Sequence, residues 1–357
     1  MIDSMSARSI FLSFLLSLTS LSALGAIDGG SKMTIKVYLP DRLSAIAIGA
    51  RAEVYLDGLI EEDTLPRVVA ALAVYGVKGG SIYLNSVGGN MFAGMKLGRM
   101  FRQQGFDTIV GKEGAKMGNA QPGGCYSACV LAYLGGNFRY SKEGSQFGVH
   151  RFSAPTHNST DLEAAQVASA AITNYLTEMG ADTALFDRMV RAGANQIYIL
   201  SDAETKRLRV VNDGVFPADW SVNITRDGAY LKGAQVAWYG KSYMIFVCEK
   251  GQILFMPMLL AGNEASTIVS TTVKHSIRLD DDFVPLDNPT NWQADDNGYV
   301  SGVFQLSPSV TRRLKQAESI GYAAQSGNPE IFWGFKMETS TAGDKIVNFV
   351  DNCQRRH

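Results

Sequence analysis

The stretch "GGCYSACVLAYLGG" sets Ser127 midway between Cys125 and Cys129, with paired glycines on either side. A serine hydroxyl becomes a nucleophile when a base takes its proton and backbone N–H groups receive the oxyanion formed on the attacked carbonyl. "GVHR" brings in His150 23 residues later, and histidine is the side chain most often used for that proton transfer. Upstream, "NSVGGN" supplies a glycine turn. The amides of Gly88 or Gly89, with that of Ala128 directly after the serine, are candidate oxyanion donors. The chemistry these types and spacings point to is acyl transfer, with Ser127 attacking and His150 as general base.

Such residues need elements that bring them together. From Ala52 to Ser86 the pattern runs strand, helix, strand: "AEVYLDG", "EEDTLPRVVAALAVYG", "GGSIYLNS". Two apolar strands around an amphipathic helix predict a βαβ unit and therefore a parallel sheet. "GGNMFAGMKLGRMFRQQG" and "FDTIVGKEG" repeat the unit. "CYSACVLAYLGG" reads as a short buried helix with Ser127 at its start, where free N–H groups gather. "SQFGVHRF" reads as a strand and "STDLEAAQVASAAITNYLTEMG" as a long helix. After Trp220 the texture changes to alternating apolar and polar residues with turns at "EKGQ" and "DDNG", which predicts antiparallel strands. The expected organisation is a signal segment over 1–26, an α/β domain over 27–220 and a smaller antiparallel β-rich domain over 228–357, with the boundary near 220–228.

The first 26 residues carry Arg8, an apolar run from Ile10 and small residues at Ala23, Gly25 and Ala26, the layout of a secretory signal peptide. A retained membrane anchor is the alternative; no other segment is long and apolar enough to span. The expectation is a periplasmic or secreted protein without a membrane span once the signal is cleaved. Lys plus Arg total 33 against 34 for Asp plus Glu, so no basic field points to a nucleic-acid partner. Export permits disulfides. Cys248, in "YMIFVCEK", and Cys353, in "FVDNCQRR", are the expected pair. Cys125 and Cys129, read on one helix, are expected to be small buried packing residues, because helix geometry rarely suits a disulfide at i and i+4. No metal site is expected, since no second Cys or His pair completes a ligand set, and no cofactor.

In order and spacing, "YLDGLIEEDTLPRVVAAL", "IYLNSVGGNMFAGMKLGRMFRQQGFDTIVG", "CYSAC" and "GVHR" resemble the Clp-type serine peptidases of the ClpP/crotonase superfamily, and among them exported periplasmic relatives, over about residues 50–215. The resemblance implies an α/β spiral of ββα units with Ser127 as nucleophile, His150 as base and the Gly88, Gly89 and Ala128 amides around the oxyanion. The expected substrate is a peptide or protein, hydrolysed without ATP, and a homo-oligomer is allowed. The family pattern places an aspartate where "GANQIYILS" stands here, so Asn195 (or Gln196) occupies the third position of the triad. An amide in place of that carboxylate costs a serine protease about four orders of magnitude. Asparagine serves better beside a thiolate, which keeps Cys125 and Cys129 open as nucleophiles, and Asp187 or Asp202 could orient the histidine instead.

His157, His275 and His357 are expected on the surface or in loops, and the acidic runs at 280–282 and 295–298 as solvated turns. Two functions remain: an exported serine hydrolase, foremost a peptidase, or a peptide- or envelope-binding protein that keeps the cleft with weak or no turnover.

Overall fold

The computed structural model describes residues 31–47, 49–116, 118–152, 160–193, 196–226, 228–328 and 330–355. The expected signal segment, His157, Asn195 and His357 lie outside the described residues. The first part of the chain runs β1 (Thr34–Tyr38), α1 (Arg42–Ala47), β2 (Glu53–Asp57), α2 (Thr64–Val74), β3 (Gly80–Asn85), α3 (Met91–Gln103), β4 (Phe106–Val110), β5 (Gly124–Tyr126), α4 (Ala128–Leu134), β6 (Arg139–Ser141), β7 (Gln146–Val149), α5 (Thr160–Glu178), α6 (Ala184–Arg191), β8 (Tyr198–Ile199) and α7 (Asp202–Arg207).

A five-stranded sheet is ordered β1-β2-β3-β4-β6, parallel from β2 to β6 with β1 antiparallel at its edge. Its central strands alternate, one face aliphatic and the other built on tyrosines. Val54, Leu56, Ile82 and Leu84 enter the main core. On the other face Tyr55 and Tyr83 stack with centroids 4.4 Å apart, and both hydroxyls donate to Glu53, at 2.9 and 3.3 Å. A second, three-stranded sheet, β5-β7-β8, carries the segment of interest.

Helix α3 begins where the Asn90 side chain accepts the Ala93 N–H at 2.9 Å. Its Gly94 lies against α4 backbone: a Cβ there would sit 2.5 Å from the Ala128 carbonyl oxygen. That close approach seats α4 wholly inside the core. Two arginines hold the other end of α4. Arg102 donates to the carbonyls of Leu134, Gly135 and Gly136, and the buried Arg139 to those of Val210, Arg209 and Met179. Burial pushes the Arg139 guanidinium down to about 10, so it remains charged at neutral pH.

The remainder comprises β9 (Asp219–Thr225), β10 (Gly228–Ala237), β11 (Gly240–Glu249), β12 (Gln252–Leu260), α8 (Ala265–Thr271), β13 (Thr272–Leu279), β14 (Asp282–Leu286), β15 (Thr290–Ala294), β16 (Tyr299–Gln305), α9 (Pro308–Leu314), β17 (Ser319–Ser326), β18 (Phe332–Glu338) and α10 (Lys345–Gln354). These strands form a six-stranded sheet, β15-β16-β12-β11-β10-β9, and a four-stranded sheet, β14-β13-β17-β18, with every pairing antiparallel. The fold is thus mixed α/β followed by antiparallel β-rich sheets.

Buried apolar side chains gather in one large cluster from Met33 to Val211 and another from Ala218 to Cys353. The expected boundary at 220–228 falls inside the β9–β10 hairpin, whose Trp220 is a core residue of the second cluster. The first cluster ends at Val211 and the second begins at Ala218.

Cys248 of β11 is bonded to Cys353 of α10, Cα to Cα 5.6 Å. His275 is not a surface residue, contrary to expectation. It is buried among Trp292, Phe304 and Tyr322, with Nδ1 2.6 Å from the Tyr322 hydroxyl. Its place on the inward face of β13, which alternation alone assigns only once the register is known, explains the difference. Asp280 and Asp281 turn between β13 and β14, and Asp295 accepts the amides of Asn297 and Tyr299 in its own turn.

Candidate active site

Ser127 stands at the start of α4, as expected, as its N-cap at the corner of a strand-to-helix turn. Its backbone lies at φ 55°, ψ −122°, between β5 and α4. A non-glycine residue in such a region costs on the order of 1–3 kcal/mol and persists only when its surroundings over-determine it. The surroundings here are backbone hydrogen bonds from two sides. Ser86 N–H donates to Gly124 O at 2.7 Å and Tyr126 N–H to Ser86 O at 2.9 Å, while Ser127 N–H donates to Gly148 O at 2.8 Å. The Ser127 hydroxyl makes no capping bond. The turn therefore holds the serine's backbone and leaves its oxygen without a partner among the described residues, the arrangement of a nucleophile elbow.

The glycine turn lies directly against this corner. Gly88 and Gly89 have φ of 106° and 131°, and a Cβ at Gly88 would come within 2.7 Å of the Ser127 Cβ and 3.2 Å of the Ala128 nitrogen. Only glycine fits. Gly88 N–H donates to Ser86 Oγ at 3.1 Å, whereas the N–H groups of Gly89 and Ala128 donate to no described residue. Of the three expected oxyanion donors, Gly89 and Ala128 are open and Gly88 is engaged.

His150 follows the end of β7. The β5–β7 ladder is parallel and ends at the pair Tyr126↔Gly148, so Ser127 and His150 leave the same ends of neighbouring strands. No hydrogen bond joins Ser127 Oγ to the ring. His150 Nδ1 lies 2.8 Å from the Arg151 carbonyl oxygen; a carbonyl only accepts, so Nδ1 donates, and in the neutral ring the lone pair a base needs is then on Nε2. A carbonyl orients the ring without supplying a charge. Asn195, the residue expected in this role, lies outside the described residues. Asp187 and Asp202 make no hydrogen bond to His150.

Cys125 and Cys129 are bonded to each other, Cα to Cα 5.2 Å, which corrects the expectation that they are free packing residues. They do not share a helix. Cys125 is on β5 and Cys129 on α4, and the turn at Ser127 brings them together. With no free cysteine in the chain, the thiolate alternative falls. The signal that would have found this bond is the symmetric C-x-S-x-C spacing, had Ser127 been read as a turn.

Beside Gly89 opens a cleft of about 480 Å³ lined by Lys32, Leu59, Ile60, Glu61, Glu62, Asp63, Gly89 and Asn90. Lys32 sits 2.6 Å from Asp63 and holds its carboxyl below the usual range. Among the described residues no cluster of His, Cys, Asp and Glu could hold a metal ion, and no helix is long and apolar enough to cross a membrane.

No family model and no curated protein matches the chain. Among solved structures, a mutant ClpP1 from Listeria monocytogenes is similar over 48% of this chain and 94% of that one, at 18% identity and a TM-score of 0.36. A mutant of a membrane-bound stomatin-specific protease is similar over 45% of this chain and 75% of that one, at 16% identity and a TM-score of 0.32.

Proposed function

We propose that the chain is an exported serine hydrolase acting as an ATP-independent peptidase. The observation that carries this reading is the strained corner at Ser127, φ 55°, whose hydroxyl, like the amides of Gly89 and Ala128 beside it, has no partner among the described residues. Ser127 Oγ attacks a peptide carbonyl as His150 Nε2 takes its proton. The oxyanion accepts hydrogen bonds from Gly89 and Ala128 N–H. The imidazolium then protonates the leaving amine, and water, activated by the same histidine, hydrolyses the acyl-enzyme. Among the described residues the partner of Nδ1 is the Arg151 carbonyl and not a carboxylate, which stabilises the imidazolium poorly and makes turnover slow. Two disulfides suit an oxidising compartment such as the periplasm, and a homo-oligomer remains part of the proposal.

The test is fluorophosphonate labelling, with initial rates on a peptide library, for wild type, Ser127→Ala, His150→Ala and Asn195→Asp. The first two substitutions abolish turnover, and Asn195→Asp raises it. Activity surviving Ser127→Ala removes the proposal. A second reading, peptide binding without turnover, draws on the uncharged Arg151 carbonyl at His150 and the missing Ser127–His150 bond. It predicts peptide affinity equal in wild type and Ser127→Ala, and no labelling in either.

A further inference from the structure

The bond between Cys125 and Cys129 encloses the residues Tyr126, Ser127 and Ala128 and nothing else. Those are the corner itself, the residue leading into it and the residue that contributes an open amide. Both cysteines are fully buried in the main core, while Ser127 is half-buried, so the bridge lies on the core side of the turn and leaves the serine partly exposed. A cross-link over so short a loop removes less entropy from the unfolded chain than one closing a long loop, and its geometric constraint falls on the three enclosed residues. The corner needs such a constraint. Ser127 itself is fixed by its N–H to Gly148 O, at 2.8 Å, and by its carbonyl accepting from Val130 N–H, at 3.0 Å. The two hydrogen bonds hold a dihedral pair that a serine avoids.

We propose that the Cys125–Cys129 disulfide is a positioning element for the nucleophile: it locks the β5–α4 turn so that Ser127 keeps its positive φ and Ala128 presents its N–H beside Gly89. Without the bridge the turn relaxes toward negative φ, which swings the peptide between Ser127 and Ala128 and moves one oxyanion donor together with the attacking oxygen. Substrate contacts elsewhere in the cleft stay as they are. The effect therefore falls on kcat and spares KM.

This inference rests on the serine-hydrolase reading, and the experiment separates the two. The double variant Cys125→Ala, Cys129→Ala is compared with wild type for peptide hydrolysis, fluorophosphonate labelling and amide hydrogen exchange. The expected result is a kcat lower by about a hundredfold, the scale of losing one oxyanion donor, with KM within about twofold. Labelling slows in proportion. Exchange at the Ser127 amide speeds up at least about tenfold while that of Phe147 on β7 stays as in wild type, a pattern expected of local rather than global opening. A kcat within about twofold of wild type, or Ser127 exchange unchanged, overturns the inference. Equal acceleration at Ser127 and Phe147 also overturns it, because the bridge then supports the whole fold. Should wild type neither hydrolyse nor label, the hydrolase reading falls and the exchange pattern still decides whether the bridge holds the turn.

Discussion

Substituting Gly88 by alanine tests the link between the glycine turn and the nucleophile. The added Cβ would lie 2.7 Å from the Ser127 Cβ, 2.8 Å from the Tyr126 carbonyl oxygen and 3.2 Å from the Ala128 nitrogen, at φ 106°. Carbon atoms rest at about 3.5–4.0 Å, so the contact must open by nearly 1 Å. Positive φ costs an alanine on the order of 1–3 kcal/mol and overpacking about 1–3 kcal/mol more, so about 2–6 kcal/mol is lost. A domain with ~5–15 kcal/mol of stability usually survives this. All three crowded atoms belong to the elbow, so relief comes from displacing Ser127 and Ala128. The expected result is a fall in kcat/KM of at least about a hundredfold, the effect of one misplaced oxyanion donor, read from initial rates and fluorophosphonate labelling beside circular dichroism. Gly76→Ala is the control: its φ is also positive, at 63°, but nothing lies within 4 Å of the added Cβ, so it lowers stability slightly and leaves activity alone. A folded Gly88→Ala protein with wild-type labelling would refute the argument that the glycine turn and Ser127 form one site.

Removing the other disulfide acts on stability instead. Cys248 and Cys353 are 105 residues apart, and the chain-entropy model assigns such a loop about 4–5 kcal/mol; Cys248→Ala with Cys353→Ala should lower the calorimetric Tm by roughly 10 °C or more, and a shift under about 2 °C would contradict it. Glu204 accepts from Arg188 at 2.9 Å and from the amide of Ser201 at 3.2 Å, and chiefly the Arg188 contact holds its carboxyl down to about 2 from 4.5. A folded pKa below the unfolded one adds stability above the unfolded value and loses it as pH falls. The urea midpoints of wild type and Glu204→Gln should therefore differ most above about pH 5 and converge toward pH 2, whereas a pH-independent gap would count against the ion pair. Arg139→Met leaves the carbonyls of Val210 and Arg209 without their donor, while Arg102 still serves Leu134, Gly136 and Met179; two orphaned carbonyls cost about 2–6 kcal/mol, visible as a lower urea midpoint, and an unchanged midpoint would show that water replaces the guanidinium.

Much of this was legible from neighbouring residues. The strands at 53–57, 80–85 and 106–110 and the helices between them follow from apolar periodicity over windows of a few residues. The paired glycines before Asn90, whose side chain caps α3, marked the turn that lies against Ser127. Cys248 and Cys353 stood in strand- and helix-like segments of an exported-looking chain, and they are bonded. What the sequence concealed has one cause: a residue's conformation at a corner is decided by distant strands. "CYSAC" alone reads as the first turn of a helix. It becomes an elbow because Ser86, at the end of β3, and Gly148, on β7, take the amides of Tyr126 and Ser127, and only then do Cys125 and Cys129 meet. The same holds for His150, whose Nδ1 found the carbonyl of its own neighbour Arg151, and for His275, which pairing with β17 turned inward onto Tyr322. Local periodicity is written within a few residues of itself; dihedral angles at a corner and the partner of a ring nitrogen depend on which strands lie alongside, and that is settled only when the sheets assemble.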